Sequence, residues 1–250
     1  MEYQHVEPVY EPDAMPELRE ALPEGLCYLD EALPGILWNA RYAGNDNFVG
    51  APVDGYEAGR IAMSTAMVAP IARAQALAQE AGYALLIWDA ARPQRAVDHF
   101  ARWASEPEDG LTKQTNYPNI KKADMFRLGY IAKRSGHSRG ASVDLTLIDE
   151  NTGVQLDMGT DFDFMDARAH HGAKGLSKDQ RDNRALLARI MNSAGFSRYD
   201  NEWWHYTLKK EPFPNVYFDF AITHPEQPEI EQPEIEQPII PAPPSIVRRP

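Results

Sequence analysis

Apolar and polar positions follow two different periods along the chain. From Gly59, GRIAMSTAMVAPIARAQALAQEAGY reads as a helix punctuated by Pro70 and stopped by Gly82. ALLIW at 84–88 is a short apolar run between turn-prone residues, which predicts a buried strand. Pro93 opens a second predicted helix, PQRAVDHFARWA, at the first position that proline favours. SEPEDGLTKQTNYPN, 105–119, has no period and predicts a long surface loop. Val143, Leu145 and Leu147 alternate with Asp144 and Thr146, a strand pattern that sends Asp144 to the face opposite the apolar residues. Ser177 and Gln180 are spaced as a capping box for a helix ending near Gly195. Phe196–Tyr199 and Trp203–Leu208 flank Asp200-Asn201 and predict a hairpin. Helices come first and strands cluster later, so the expected fold is α+β: one domain, with helices packed on a mainly antiparallel sheet.

Both ends depart from this pattern. Residues 1–25 are acidic and interrupted by proline, and read as an extension; the body runs over 26–223; from 224 a Pro/Glu-rich tail repeats the pentad E-Q-P-E-I. Proline this dense leaves extended, polyproline-like chain. The tail has two readings, a solvated disordered segment or a strap docking on a neighbour through Ile230, Ile235, Ile239 and Ile240, which would make a homo-oligomer. The 250 residues carry a net charge of −12, which argues against a nucleic-acid partner. No run approaches the ~18–20 apolar residues of a membrane helix. The start has no basic region leading into an apolar run, so a cytoplasmic location is expected. Cys27 is the single cysteine, which excludes an internal disulfide framework and a cysteine-based zinc cage.

Candidate chemistry lies in two histidine segments. In SGHSRGASVDLTL, 135–147, a Ser-Arg-Gly turn can fold His137 back beside Asp144. In EWWHY, 202–206, Glu202 and His205 are three residues apart. A catalytic zinc typically takes three protein ligands and keeps one position for water, which His137, Asp144 and His205 would satisfy. Glu202 would then stand near that water as a base. Other readings stay open from the residues alone. Asp144 can equally pair with Arg139, Glu202 and His205 can be a surface pair on an edge strand, and His170-His171 is a competing metal candidate. Arg92, in WDAARPQR, either bridges to Asp89 or Asp98 or stabilises an oxyanion over the metal. DMGTDFDFMDARAHH, 157–171, sets four carboxylates among aromatics, one of which could hold an ammonium group.

NFVGAPVDGY, WDAARPQRAV, TKQTNYPNI, SGHSRGASVDLTL, MGTDFDFMD, EWWHY and PNVYFDF, in this chain order, together resemble the VanX-type D-alanyl-D-alanine dipeptidases from about Leu29 to Phe220. The resemblance implies a peptidase with one Zn²⁺ per chain that hydrolyses the free dipeptide D-Ala-D-Ala. It implies His137, Asp144 and His205 as zinc ligands, Glu202 as general base and Arg92 as the oxyanion-stabilising group. It further implies Asp163, with Tyr42, as receiver of the substrate ammonium, Ser135 as partner of the substrate carboxylate, and Asp89 as support for Arg92. The partner is then a small dipeptide, in either antibiotic resistance or D-alanine salvage from wall turnover.

Two positions depart from the family pattern: Gly136 where a second serine is common, and Ala91 where an aromatic is common. Neither is a ligand or the base, so they bear on substrate preference more than on chemistry. The competing functions are a non-catalytic zinc module binding D-amino-acid peptides or wall fragments, and a related D-Ala carboxypeptidase.

Overall fold

The computed structural model describes residues 21–224. The Pro/Glu-rich segment, its isoleucine strap and residues 1–20 of the N-terminal extension lie outside the described residues. Strands are β1 (Leu26–Tyr28), β2 (Leu37–Trp38), β3 (Ala62–Ser64), β4 (Tyr83–Asp89), β5 (Ser142–Asp149), β6 (Phe196–Tyr199) and β7 (Glu202–Leu208). Helices are α1 (Leu29–Ala32), α2 (Val68–Glu80), α3 (Gln94–Ser105), α4 (Lys113–Asn116), α5 (Met125–Leu128) and α6 (Lys178–Ala194). β1 and β3 form a small antiparallel sheet, and the main sheet runs β2-β4-β5-β7-β6. Only the β2–β4 pair in the main sheet is parallel among the described residues. The α+β expectation holds.

The core follows from periodicity. On α2, Ile71, Ala74 and Ala78 face inward, and on α6 Leu187, Ile190, Met191 and Ala194 do; these small and medium side chains let the two helices pack on each other and over β4 and β6. Val143, Leu145 and Leu147 of β5 are fully buried, each contributing about 1.5–3 kcal/mol of transfer free energy. The opposite face of β5 is also buried: Ser142, Asp144 and Thr146 are at most 2% exposed, because β5 lies centrally and further chain covers it.

Three sequence expectations shift. The helix read from Gly59 begins at Val68, and Ala62–Ser64 pairs instead with β1; Pro70 falls in the first turn of α2, where a missing N–H costs nothing. The surface loop at 105–119 is anchored rather than peripheral. Tyr117 is fully buried edge-on against Trp103 of α3, 5.4 Å between ring centres, and α4 interrupts the loop. The β7 strand starts at Glu202, one residue before the expected start. The capping box of α6 is present as read: the Gln180 N–H donates to Ser177 Oγ at 3.1 Å and the Ser177 N–H donates to Gln180 Oε1 at 2.9 Å.

Candidate metal centre and active site

Strand register sets the first line of the site. Asp89 on β4 stands opposite Asp144 on β5, and Asp144 stands opposite His205 on β7. A register irregularity between Ile87 and Asp89 breaks the ladder at the end of β4. On the other side, pairing jumps from Arg198↔Tyr206 to Tyr199↔Glu202, so Trp203, Trp204 and His205 have no partner on β6. That bulge lets two bulky indoles bury while Glu202 and His205, three residues apart, both reach the same cavity. A regular strand would have sent them to opposite faces.

His137 arrives from the connection before β5. One turn of 3₁₀ helix, His137–Arg139, ends at Gly140 in the left-handed region, φ +63°, and Ser64 lies 3.1 Å from where a Cβ on Gly140 would stand. His137 Nδ1 lies 2.7 Å from the Ala90 carbonyl, which can only accept, so Nδ1 carries the proton and Nε2 presents a lone pair. That Nε2 is 3.2 Å from His205 Nδ1 and 3.3 Å from Asp144 Oδ2, and His205 Nδ1 is 3.0 Å from Asp144 Oδ1. Among the described residues, these three alone form a His/Cys/Asp/Glu set placed to share one ion.

The donor set fits a zinc-type cation. Tetrahedral ligands at bonds of about 2.0–2.2 Å stand roughly 3.3–3.6 Å apart, close to the observed spacings. Two imidazole nitrogens and a carboxylate oxygen converging at these distances suit a shared cation. Burial would raise the Asp144 carboxyl, but His137 and His205 outweigh it and hold Asp144 well below the usual carboxylate range.

Glu202 stands beside this set, its Oε2 3.8 Å from His205 Nδ1. Burial pushes its carboxyl up to about 7 against the pull of His205, with Asp144 adding to the rise. Arg92 extends over Tyr42 and Phe100, its guanidinium carbon 5.0 and 5.1 Å from the ring centres. It donates to Asp89 Oδ2 at 2.9 Å and to Asp144 Oδ2 at 3.3 Å. Asp89, 1% exposed, also accepts from the Tyr56 hydroxyl at 2.6 Å, so it stands behind Arg92 as a support rather than facing the cavity.

The cavity measures about 310 Å³, at the small end of ligand sites. Besides the metal set, Glu202 and Arg92, it is lined by Asp163, Tyr42 and Ser135. Tyr42 donates to Asp163 Oδ2 at 2.8 Å. Burial pushes the Asp163 carboxyl well above its ordinary range, and Asp144 adds to this. Asp163 is also the sole non-glycine residue with positive φ among those described, +56°, a conformation that surrounding contacts must hold. Those contacts are long-range. Met165 N–H donates to the Asn116 carbonyl at 2.7 Å, and buried Arg184 of α6 donates to the carbonyls of Met158, His170 and Arg168 at 2.7–3.0 Å. Ser135 Oγ accepts from the His137 N–H at 3.2 Å.

The alternatives from the sequence resolve. Arg139 pairs with Glu211 rather than Asp144, and Asp98 accepts from Gln94 rather than meeting Arg92. β7 is interior to the sheet rather than an edge. His170 and His171 diverge: His170 Nε2 lies 3.4 Å from the Tyr130 hydroxyl, while the His171 ring packs on Tyr206. Reading the sequence did not single out Asn116, Arg184, Ser142 or Thr207. Thr207 and Ser142 had a local signal, being two residues from His205 and Asp144 and hence on the same faces of their strands.

Three side chains placed to share one ion, beside a cavity and a further carboxylate, make an arrangement suited to metal-assisted hydrolysis, and the protein is a metallopeptidase. Comparison with known proteins narrows the class. Residues 23–223 match the peptidase M15 family, described as D-ala-D-ala dipeptidase, and the chain belongs to that family. It is 53% identical over 196 residues to a D-alanyl-D-alanine dipeptidase of Streptomyces coelicolor, covering 78% of this chain and 97% of the relative. It is 51% identical over 199 residues to one of Enterococcus faecalis, covering 80% and 98%. A more distant relative of the same name, from Escherichia coli, is 31% identical over 175 residues, 70% of this chain and 80% of that protein.

Proposed function

We propose that this chain hydrolyses the free dipeptide D-Ala-D-Ala to two D-alanines, with Zn²⁺ held by His137, Asp144 and His205 and with Glu202 as general base. The observation that carries the reading is the convergence of His137, Asp144 and His205 to 3.0–3.3 Å beside Glu202 in a small cavity. The names of the related proteins supply the substrate class. A cytoplasmic site of action belongs to the same proposal; no described helix is long and apolar enough to cross a membrane.

When bound, the metal supplies Lewis acidity, polarising the scissile carbonyl and easing loss of a proton from water. The protein does the rest. Glu202 takes a proton from the attacking water as its oxygen bonds to the carbonyl carbon, then delivers that proton to the amine as the C–N bond breaks. Arg92 donates to the oxyanion that develops on the carbonyl oxygen, held in place by Asp89 behind it and by the Tyr42 and Phe100 rings. Asp163, with Tyr42, receives the substrate ammonium, and Ser135 donates to the substrate carboxylate.

Selection for a free dipeptide follows from charge. Asp163 is 7% exposed, and a blocked amine would take away the cation that this buried carboxyl is placed to receive. Asp163→Asn should therefore raise KM by about 10- to 100-fold, the worth of one charged hydrogen bond of ~1.5–3 kcal/mol, with a smaller change in kcat. Steady-state kinetics on D-Ala-D-Ala check this, and an unchanged KM removes Asp163 from the ammonium role.

The deciding experiment is a panel of free, N-acylated and C-amidated dipeptides, with and without chelator. Chelator-sensitive cleavage of free D-Ala-D-Ala alone supports the proposal. Release of D-Ala from an N-blocked peptide would reassign the chain to a carboxypeptidase. Binding without cleavage would make it a non-catalytic module.

A further inference from the structure

His205 has two ring nitrogens, and the site can use it only if the correct one is bare. Nδ1 faces His137 Nε2 and Asp144 Oδ1, at 3.2 and 3.0 Å. A proton on Nδ1 would form a good hydrogen bond to Asp144 Oδ1, and in that tautomer the nitrogen has no lone pair for a cation. Something must hold the proton on Nε2. The described partner of Nε2 is Thr207 Oγ1, 3.3 Å away on the same face of β7. Thr207 Oγ1 in turn lies 2.8 Å from Ser142 Oγ, its cross-strand neighbour on β5. Ser142 is fully buried.

We infer that Thr207 and Ser142 are positioning residues for the metal centre: a partly buried hydroxyl relay that accepts the His205 Nε2 proton and so leaves Nδ1 free to ligate. The relay has a direction. His205 Nε2–H donates to Thr207 Oγ1, and the Thr207 hydroxyl donates onward to Ser142 Oγ. With Thr207 removed, Nε2–H would lose its described acceptor, and the Nδ1–H tautomer bonded to Asp144 would gain at the expense of the ligating one.

The relay also accounts for Gly136, one of the two departures from the family pattern. Gly136 has φ −60° and ψ −31°, which any residue adopts, so its backbone does not require glycine. Its space does. A Cβ at 136 would stand 2.3 Å from Ser142 Oγ, the hydroxyl at the end of the relay. Gly136 and Ser142 thus form a matched pair: the missing side chain makes room for the hydroxyl that supports His205.

The inference rests on the zinc reading of the site, and its test uses metal affinity rather than turnover. Zinc-loaded full-length protein is titrated against a competing chelator, alongside Thr207→Val, Thr207→Ser, Ser142→Ala, Gly136→Ala and the Gly136→Ala/Ser142→Ala double variant. Loss of a group that orients a ligand typically costs about 10–100-fold in metal affinity, so Thr207→Val should release zinc at correspondingly lower chelator concentration. Thr207→Ser, which keeps the hydroxyl, should recover most of that loss, and Ser142→Ala should lose a smaller factor. Gly136→Ala should weaken binding alone but add nothing on top of Ser142→Ala, a coupling that independent sites would not show. Thermal unfolding of the metal-free forms separates ligation from fold. If Thr207→Val does not fold, Ser142→Ala decides, since it leaves every ligand and Thr207 in place. Zinc affinity equal to the parent in Thr207→Val, or in Ser142→Ala where that variant decides, overturns the relay. A parent that binds zinc yet cleaves no dipeptide sinks the proposed function and leaves the relay standing.

Discussion

Glu202→Gln is expected to keep its zinc and lose kcat by about 10²–10⁴-fold, the usual contribution of a positioned general base. The glutamine amide keeps the size of the side chain but cannot accept the proton of water. Burial pushes the Glu202 carboxyl up to about 7, which suits a group that must both take and return a proton near neutrality. Metal content and steady-state rates on the same preparation check the prediction, because loss of zinc would mean that Glu202 shapes the metal set rather than acting on the substrate. Retained turnover in a zinc-loaded variant would remove Glu202 from the base role. Glu202→Ala gives the same sign with more cavity rearrangement.

Ligand removal should produce the opposite pattern. His205→Ala and Asp144→Ala are expected to lose bound zinc, and with it turnover, as measured by metal analysis of purified protein. Their effects on stability should differ. Asp144 is 2% exposed and accepts from Arg92 while facing both imidazoles, so its removal leaves the largely buried Arg92 guanidinium with one carboxylate fewer, a loss of up to about 3–5 kcal/mol for buried pairs of this kind. His205 is half-buried, and its removal takes away one partner of Asp144 while His137 and Arg92 still face that carboxylate. Denaturant unfolding of the metal-free forms should therefore rank Asp144→Ala below His205→Ala. Full zinc occupancy in either variant would exclude that residue as a ligand, and equal stability would mean that Asp89 alone satisfies Arg92.

The same contrast separates what the chain announces locally from what it does not. Local signals located β4, β5, α3, α6 and the β6–β7 hairpin: an apolar run, an alternation, a proline at a helix start, a capping box and a turn pair, each contained in a few consecutive residues. They misread 59–67, where the pattern of Ile61, Met63 and Met67 suits a helix or a strand equally and pairing with β1 decided the outcome. The chemistry-bearing types at 137, 144, 202 and 205 were visible as residues, and their order matched a known family. Their meeting was not visible. His137 and His205 are 68 residues apart and come within 3.2 Å only because β5 and β7 are neighbours in register.

By itself, then, the sequence determined the fold class, the helix caps, the face on which Asp144 stands and the set of side chains able to bind a cation, since all of these depend on local spacing and side-chain chemistry. Tertiary structure alone decided that Arg92 answers to Asp89 and Asp144 rather than Asp98. It also decided that Arg184 and Asn116 pin the segment bearing Asp163, that Thr207 and Ser142 stand behind His205, and that Gly136 leaves room for the Ser142 hydroxyl in its present position. Those features join residues from different elements. No local pattern encodes them, because each arises only when strand register and buried packing bring distant side chains within hydrogen-bond reach.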